Sequence, residues 1–285
     1  MVPGGVGVTT SAQRPELPGP ALLFCPADRP DRYAKALAAA DGVILDLEDG
    51  VGAGGKDAAR AALVATDLDP ARVIVRVNAT GTPEHAADMT ALRGTGYRRI
   101  MLPKAETRAQ LDQLSDEWLV VALCETPLGI VNAAEIAAAP NVIAVMWGSE
   151  DLVASLGGRS SRLPSGGYRD VARHARSTVL LAASAYGRPA IDSIYVNIPD
   201  LDGLAAESAD AAASGFALKA CIHPSQVAVI RRAFQADDAQ VAWARRVLEA
   251  ARDGDARDKG AIKVDGQMID APLIRQAEAI LASVR

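Results

Sequence analysis

Two carboxylates stand at the ends of neighbouring apolar runs of this sequence, where they could bind a metal ion together. Glu125 ends the run WLVVALCE, and Asp151 follows the run NVIAVMWG after Ser149 and Glu150. We predict no histidine or cysteine partner for them, and oxygen ligands suit a hard cation that keeps its waters, such as Mg²⁺. Either carboxylate could instead cap a helix or form a salt bridge, and Glu150 could take the place of Asp151.

An arginine and three acidic residues form a second candidate group. Arg76 interrupts the otherwise apolar run RVIVRVN. A buried arginine needs a partner, which a substrate carboxylate would supply in bidentate form. The alternative is a structural salt bridge to Asp46 or Glu48. These two residues and Asp49 lie at the end of the run GVILDLED, where they could orient Arg76, hold metal-bound water or cap the next helix.

The histidines are weaker candidates. His223 follows the run ALKACI and could act as a general base, but the preceding strand and the following Pro224 also suit a structural histidine. His85 and His174 lie in helical patterns, which favour surface or packing roles.

Eight apolar, β-branched runs separated by helical patterns must position these side chains. Runs that are apolar throughout indicate strands covered on both faces, as in a parallel sheet. Most starts are about 20 to 30 residues apart, the size of a strand–helix unit, and no dinucleotide-binding glycine fingerprint follows the first run. We therefore predict an α/β protein with a TIM-type (β/α)₈ barrel, whose active site lies at the carboxyl ends of the strands. The strands are expected to begin near Ala21, Gly42, Arg72, Arg99, Trp118, Asn141, Ala190 and Ala217.

The chain divides into three predicted segments. Residues 1–20 are rich in glycine and proline and are expected to form a flexible tail, followed by the barrel over residues 21–252. Residues 253–285 have no place among the eight units and are predicted to be a helical lid or a subunit-docking segment. The polar stretch 157–169 is typical of an insertion or a mobile loop at the face of the site.

Composition excludes several classes of protein. The formal net charge of −5 and the lack of a Lys/Arg run argue against a nucleic-acid partner. No stretch reaches the roughly 20 apolar residues of a membrane span, and the first residues lack the pattern of a signal peptide, so we expect a cytoplasmic protein. Each of the three cysteines lies in an apolar run, which indicates reduced core thiols.

The sequence contains the motifs LFCPADRPDRYAKAL, VILDLEDGV, VRVN, LPKAE, ETPLG, WGSEDL, CIHPSQ and GQMIDAP. In this order and spacing, they resemble the citrate lyase beta-subunit-like family of the HpcH/HpaI aldolase and malyl-CoA lyase superfamily, in particular its free-standing actinobacterial members. The resemblance extends from about Ala21 to the C-terminus. CPADRP replaces the more usual VPGNRP, and Pro127-Leu128 occupies positions usually filled by small or basic residues, which leaves the acyl-chain preference open.

The resemblance implies a site shared between subunits. Family members are trimeric barrels in which the residues corresponding to Glu125 and Asp151 hold Mg²⁺, and the counterpart of Arg76 contacts the oxo acid or the developing enolate. A C-terminal lid brings an aspartate into the site of a neighbouring subunit, and Asp270 matches it. The CoA thioester is expected to contact Phe24, Arg29, Lys35 and Lys104.

The resemblance also implies an activity. We expect a carbon–carbon lyase that cleaves a 3-hydroxyacyl-CoA, of the citramalyl-CoA or malyl-CoA class, reversibly to acetyl-CoA and a 2-oxo acid. Asp46 and Glu48 are expected to assist Arg76, Mn²⁺ could replace Mg²⁺, and thioester hydrolysis with a malate synthase-like net reaction is a side activity. The alternatives are a citryl-CoA lyase subunit, a CoA-independent metal aldolase for pyruvate, and a non-catalytic subunit of a lyase complex.

Overall fold

Eight parallel strands form a closed barrel in the computed structural model, which describes residues 17–252 and 261–284. Each strand pairs with the next, and β8 pairs with β1. This confirms the predicted TIM barrel, and every strand begins within one residue of its predicted start. The strands are β1 (Ala21–Pro26), β2 (Gly42–Asp46), β3 (Val73–Arg76), β4 (Arg99–Leu102), β5 (Leu119–Cys124), β6 (Val142–Trp147), β7 (Ala190–Asp192) and β8 (Leu218–Cys221).

Helices connect the strands on the outside of the barrel. Several of them have a proline in the first turn, where its missing N–H costs no hydrogen bond and its φ is already helical. Proline thereby helps to fix where these helices begin. The barrel helices are α1 (Pro30–Ala39), α2 (Lys56–Val64), α3 (Pro83–Arg93), α4 (Arg108–Asp112), α5 (Pro127–Val131), α6 (Ala133–Ala137), α7 (Ser149–Ser155), α8 (Asp170–Ala185), α9 (Leu201–Ser214) and α10 (Pro224–Phe234).

The apolar side chains of the barrel fall into two layers. One cluster fills the inside of the barrel with alternate residues of the strands, including Leu22, Ile44, Ile74 and Met101. A larger cluster lies between the strands and the surrounding helices. Because both faces of every strand are covered, the runs read as continuously apolar. All three cysteines are free and buried, as expected of core thiols.

The described end of the predicted N-terminal tail is part of the barrel. Leu17 packs against the inner apolar cluster, and the carbonyl oxygen of Pro20 accepts a hydrogen bond of 2.9 Å from the backbone N–H of Lys219. Residues 17–20 therefore cover the amino ends of the strands, so we propose that the barrel begins at Leu17, upstream of the predicted boundary at residue 21. Residues 1–16 of that prediction lie outside the described residues.

Residues 157–169, called the 157–169 loop below, connect α7 to α8. Arg162 and Tyr168 form an isolated antiparallel bridge within it, and Arg162 Nη1 lies 2.7 Å from Glu207 Oε2 on α9. These contacts join the loop to α9, which favours an insertion over a mobile loop.

The C-terminal part of the chain has its own small core. After α11 (Asp238–Arg252) and residues 253–260, which lie outside the described part, β9 (Ile262–Val264) and β10 (Gln267–Ile269) form a hairpin before α12 (Ala271–Ala282). Side chains of all four elements share one apolar cluster. We therefore propose that the extension begins at α11, upstream of the predicted boundary at residue 253.

The hairpin was missed by the sequence prediction, although it carries a recognisable signal. Its two-residue turn is Asp265-Gly266, and both residues have positive φ, at 49° and 83°. An Asp-Gly pair between short β-type runs is the usual sequence of such a turn.

No helix in the described part of the chain is long and apolar enough to cross a membrane.

Candidate active site

Side chains from the carboxyl ends of several strands line one cavity of about 330 Å³. Five of the ten predicted site residues lie on its wall. The apolar part of the lining includes Leu123, Met146 and Ile194. The predicted residues on the wall are Phe24, Asp46, Arg76, Glu125 and Asp151.

Arg76 is held by two carboxylates. Its Nε and Nη2 donate to the two oxygens of Asp46 at 2.7 and 2.6 Å, and Nη1 lies 2.9 Å from Glu48 Oε2. Asp46 also accepts from the backbone N–H groups of Glu48 and Gly50. Asp46 and Arg76 are register partners on β2 and β3, so this pairing follows from the strand alignment. The structure contains the salt bridges predicted as an alternative, with the guanidinium 5.0 Å from the ring centroid of Phe24.

Lys104 connects the acidic side chains of the site. Its Nζ donates to Glu48 Oε1 and lies 3.9 Å from Asp151 Oδ1, while its backbone N–H donates to Glu125 Oε1 at 3.0 Å. The backbone of Lys104 has φ 50°, a left-handed conformation that side-chain-bearing residues adopt at an energetic cost. The turn after β4 is thereby shaped so that one residue contacts three carboxylates.

The electrostatics of the site favour an additional cation. Burial raises the pKa of Glu125 to about 8, and the neighbouring Asp151 and Glu48 add to this rise, while Arg76 and Lys104 offset only part of it. Burial also raises the pKa of Glu48. A carboxylate in such surroundings keeps its negative charge more easily when a metal ion lies beside it.

The donor set fits Mg²⁺. Glu48 Oε2 is buried without an aligned hydrogen bond, and Gly148 allows the backbone to approach Glu125, because a Cβ there would lie 2.8 Å from Glu125 Cβ. No group of three or more His, Cys, Asp or Glu side chains suited to a metal occurs among the described residues. Glu125 and Asp151 line the cavity and could hold the ion, with water or substrate as further ligands, as Mg²⁺ prefers.

Five predicted residues do not line the cavity: Glu48 and Lys104 contact residues of its wall, and the other three lie apart from it. Arg29 pairs with Asp31 at 3.0 Å on the exposed start of α1, and Lys35 is exposed further along that helix. Asp270 is half-buried at the start of α12, where its backbone oxygen accepts from Ile274. The tertiary structure of one chain does not bring these three residues to the strand ends.

Two rival candidates have structural partners. Glu150 is exposed on the cavity rim, and its Oε1 accepts from the hydroxyls of Ser149 and Ser161 at 3.0 and 2.8 Å. His223 caps α10, with Nδ1 accepting from the backbone N–H of Ser225 at 3.2 Å. This contact supports the structural interpretation of His223 over the general-base one.

A second buried group of charges was not predicted from the sequence. Lys219 on β8 and Asp192 on β7 are both fully buried, and Lys219 Nζ donates to Asp192 Oδ2 at 2.8 Å. Arg176 and the indole N–H of Trp147 both donate to Asp192 Oδ1. The signal was available, because Asp192 and Lys219 each interrupt an apolar run as Arg76 does.

Asp192 makes a testable contribution to acid stability. Burial raises its pKa, but Lys219 and Arg176 outweigh burial and hold the pKa below its usual range. Its stabilising effect is therefore full above the unfolded pKa of about 4 and is lost as the pH falls through the lower folded pKa. We expect Asp192→Asn to destabilise the protein by about 3–5 kcal/mol at pH 7, because the buried cations lose their partner. Urea unfolding at a series of pH values measures this.

The dependence of stability on pH distinguishes Asp192 from an exposed carboxylate. The stability of Asp192→Asn is expected to fall less steeply than that of the wild type below about pH 5. Asp57→Asn, at an almost fully exposed carboxylate, is expected to keep the wild-type dependence. An unchanged acid dependence in the Asp192 variant would contradict the assignment.

A closed barrel with carboxylates and an arginine on one cavity wall, and a lysine in contact with them, is typical of a (β/α)₈ enzyme whose oxygen ligands could hold a metal ion. A model of the HpcH/HpaI aldolase/citrate lyase family matches residues 21–224, and the chain belongs to this family. The family predicted from the motifs is thereby confirmed.

The relatives include lyases that act on CoA thioesters. The citrate lyase subunit beta-like protein of Mycobacterium tuberculosis is 56% identical over 263 residues, 92% of this chain and 94% of that protein. The human mitochondrial citramalyl-CoA lyase is 30% identical over 302 residues, 96% and 87% of the two chains. These relatives agree with the prediction of a carbon–carbon lyase.

A solved structure matches most of the chain. It is that of the protein CitE from M. tuberculosis in complex with magnesium, acetoacetate and coenzyme A. The TM-score is 0.89 at 55% sequence identity, and the match covers 94% of this chain and 98% of that one.

Proposed function

We propose that the protein is a Mg²⁺-dependent lyase that cleaves a 3-hydroxyacyl-CoA to acetyl-CoA and an oxo acid. The observation that carries this proposal is the convergence of Glu125, Asp151 and Arg76 on one cavity. The Mg²⁺ and coenzyme A in the related M. tuberculosis structure support it.

Glu125 and Asp151 would hold the metal ion. Bound Mg²⁺ would act as a Lewis acid and template for the carboxylate and the neighbouring oxygen of the substrate. Mn²⁺ accepts similar oxygen ligands and is expected to substitute. The backbone N–H of Lys104 fixes the orientation of the Glu125 carboxylate.

Arg76 would stabilise negative charge on the reacting groups. In the cleavage the hydroxyl loses its proton, the bond between C2 and C3 of the acyl chain breaks, and its electron pair passes to the thioester as an enolate. Protonation of this enolate carbon gives acetyl-CoA. Asp46 and Glu48 fix the Arg76 guanidinium, so the cation is already oriented when charge develops.

The remaining roles extend beyond one cavity. We propose that Asp270 from a neighbouring subunit of a homotrimer protonates the enolate, because Asp270 lies away from the cavity of its own chain. Phe24, Lys104, Arg29 and Lys35 would contact the CoA thioester. The positive charges of the arginine and the two lysines suit the phosphates of CoA.

Citramalyl-CoA and malyl-CoA are the proposed substrates, giving pyruvate and glyoxylate respectively. The name of the human relative supports the first. A second candidate is suggested by the acetoacetate bound with coenzyme A in the M. tuberculosis structure. Acetoacetate and acetyl-CoA are the products that cleavage of 3-hydroxy-3-methylglutaryl-CoA would give, so this substrate belongs in the same test.

Mass spectrometry of the purified chain tests the proposal. The three acyl-CoA substrates are incubated separately with Mg²⁺ or with EDTA, and acetyl-CoA, free CoA and the oxo acid are measured. We expect Mg²⁺-dependent formation of acetyl-CoA with one matching oxo acid, and free CoA would reveal the hydrolytic side activity. Failure with every thioester, combined with Mg²⁺-dependent condensation of pyruvate and an aldehyde, would favour the CoA-independent aldolase. Inactivity in all assays would favour a subunit of a larger complex.

A further inference from the structure

The 157–169 loop contacts the turn that carries Asp151. Ser161 of the loop is buried, and its hydroxyl donates to Glu150 Oε1 at 2.8 Å. Glu150 directly precedes Asp151 in the first turn of α7. The loop therefore supports one side of this turn.

The loop itself depends on polar contacts. Among residues 157–169 only Ser161 and Tyr168 are buried, so the loop has little apolar surface to dock it. Arg162 Nη1 donates to Glu207 Oε2 at 2.7 Å, and Nη2 donates to the Tyr168 hydroxyl at 3.0 Å. The guanidinium also lies 4.1 and 4.6 Å from the ring centroids of Tyr168 and Tyr195. Arg162 thus joins the loop to α9 and to the segment after β7, together with Tyr168, whose hydroxyl donates to Glu207 Oε1 at 3.0 Å and whose ring packs on Trp147.

The same network reaches α7 from its other side. Glu207 Oε1 accepts from the buried Lys219 at 3.0 Å, and Lys219 donates to the backbone oxygen of Ser193 at 2.7 Å. Ser193 Oγ accepts from the backbone N–H of Ser149 at 3.2 Å. Arg162 is therefore linked to both residues that precede Asp151. Its neighbour in the chain, Ser161, donates to Glu150. The contacts of Glu207, Lys219 and Ser193 lead to Ser149.

We propose that Arg162 is a positioning residue that docks the 157–169 loop and thereby holds Asp151 in its metal-binding place. Buried hydrogen-bonded charges keep a geometry more strictly than exposed ones, because every lost contact leaves an unsatisfied group. Residues behind metal ligands commonly change metal affinity about 10–100-fold when they are replaced. The proposal rests on the proposed role of Asp151.

The test compares Arg162→Ala with Arg162→Lys and with the control Arg60→Ala. Arg60 is similarly buried, with 11% of its side chain exposed against 16% for Arg162, and it pairs with the buried Asp88 but lies outside the cavity and the loop. Calorimetry with MgCl₂ measures metal affinity of the free protein, and limited trypsin digestion measures cleavage at the exposed Arg159 and Arg169 of the loop. Steady-state assays separate kcat from KM.

Arg162→Ala is expected to lower Mg²⁺ affinity about 10-fold or more, to lower kcat, and to speed cleavage of the loop. Arg162→Lys, which keeps the charge facing Glu207, should recover part of each loss, and Arg60→Ala should only lower the unfolding temperature. Unchanged Mg²⁺ affinity and kcat in Arg162→Ala would overturn the proposal, as would unchanged loop cleavage. If the wild type itself shows no Mg²⁺ binding, the proposed function fails first, and the trypsin result still decides whether Arg162 docks the loop.

Discussion

Asp151→Ala is expected to reduce Mg²⁺-dependent cleavage about a thousand-fold or more, because Lewis-acid stabilisation by a bound metal is worth several kcal/mol. Stability should change little, since the Asp151 side chain is 38% exposed and its ion-pair contact with Lys104 is long, at 3.9 Å. Steady-state kinetics at several Mg²⁺ concentrations, together with calorimetric titration of the metal, measure the effect.

The neighbouring carboxylate supplies the matched control. Glu150→Gln keeps the shape and the oxygen that accepts from Ser149 and Ser161, so we expect it to retain most of the wild-type activity. Asp151→Asn keeps the volume of the ligand without its charge and should be nearly as impaired as the alanine variant. Normal turnover by Asp151→Ala, or loss of Mg²⁺ binding in Glu150→Gln alone, would indicate that Glu150, and not Asp151, binds the metal.

Arg76→Met is expected to cost about 3–5 kcal/mol of folding free energy, because Asp46 and Glu48 would remain buried without their cation. Arg76→Lys keeps the charge but cannot reproduce the bidentate fork on Asp46. It is therefore expected to be more stable than the methionine variant and still to lose about 100–1000-fold in kcat. Urea unfolding and kinetics on the folded protein measure the two effects separately.

Arg60→Met is the control that shows the effect of losing a buried ion pair outside the site. Arg60 and Arg76 have the same side-chain exposure of 11%, and each pairs with a buried aspartate. We expect Arg60→Met to lose stability while the folded fraction keeps its kcat. A wild-type kcat in Arg76→Lys would show that the bidentate contact between Arg76 and Asp46 has no catalytic role.

The strands and the residues at their ends could be predicted from the sequence because they depend on local patterns. An apolar run such as VIAVMW must be covered on both faces, and eight such runs at helix-length spacing leave a closed parallel barrel as the simplest arrangement. Parallel strands all end at the same side, so Glu125, Asp151 and Arg76 were expected to converge before any contact was known. The motifs then supplied the family, which comparison with relatives confirms.

Contacts between distant residues could not be predicted in the same way. The sequence left Arg76 with a substrate carboxylate or an acidic neighbour as partner, and only the β2–β3 register places it beside Asp46. Lys104 could be assigned to a strand end, but its contacts with Glu48 and Glu125 depend on the left-handed turn after β4.

The packing of the C-terminal part could not be predicted from the sequence either. The periodicity of α11 does not show whether its apolar face meets the barrel or the last helix, and the structure places it with α12. The sequence by itself thus determined the barrel and the family and predicted the carboxylate pair proposed for the metal, because each rests on local periodicity or on short motifs. The tertiary structure decided which charges are neutralised and which loop supports Asp151, because burial and strand register act between residues far apart in the chain.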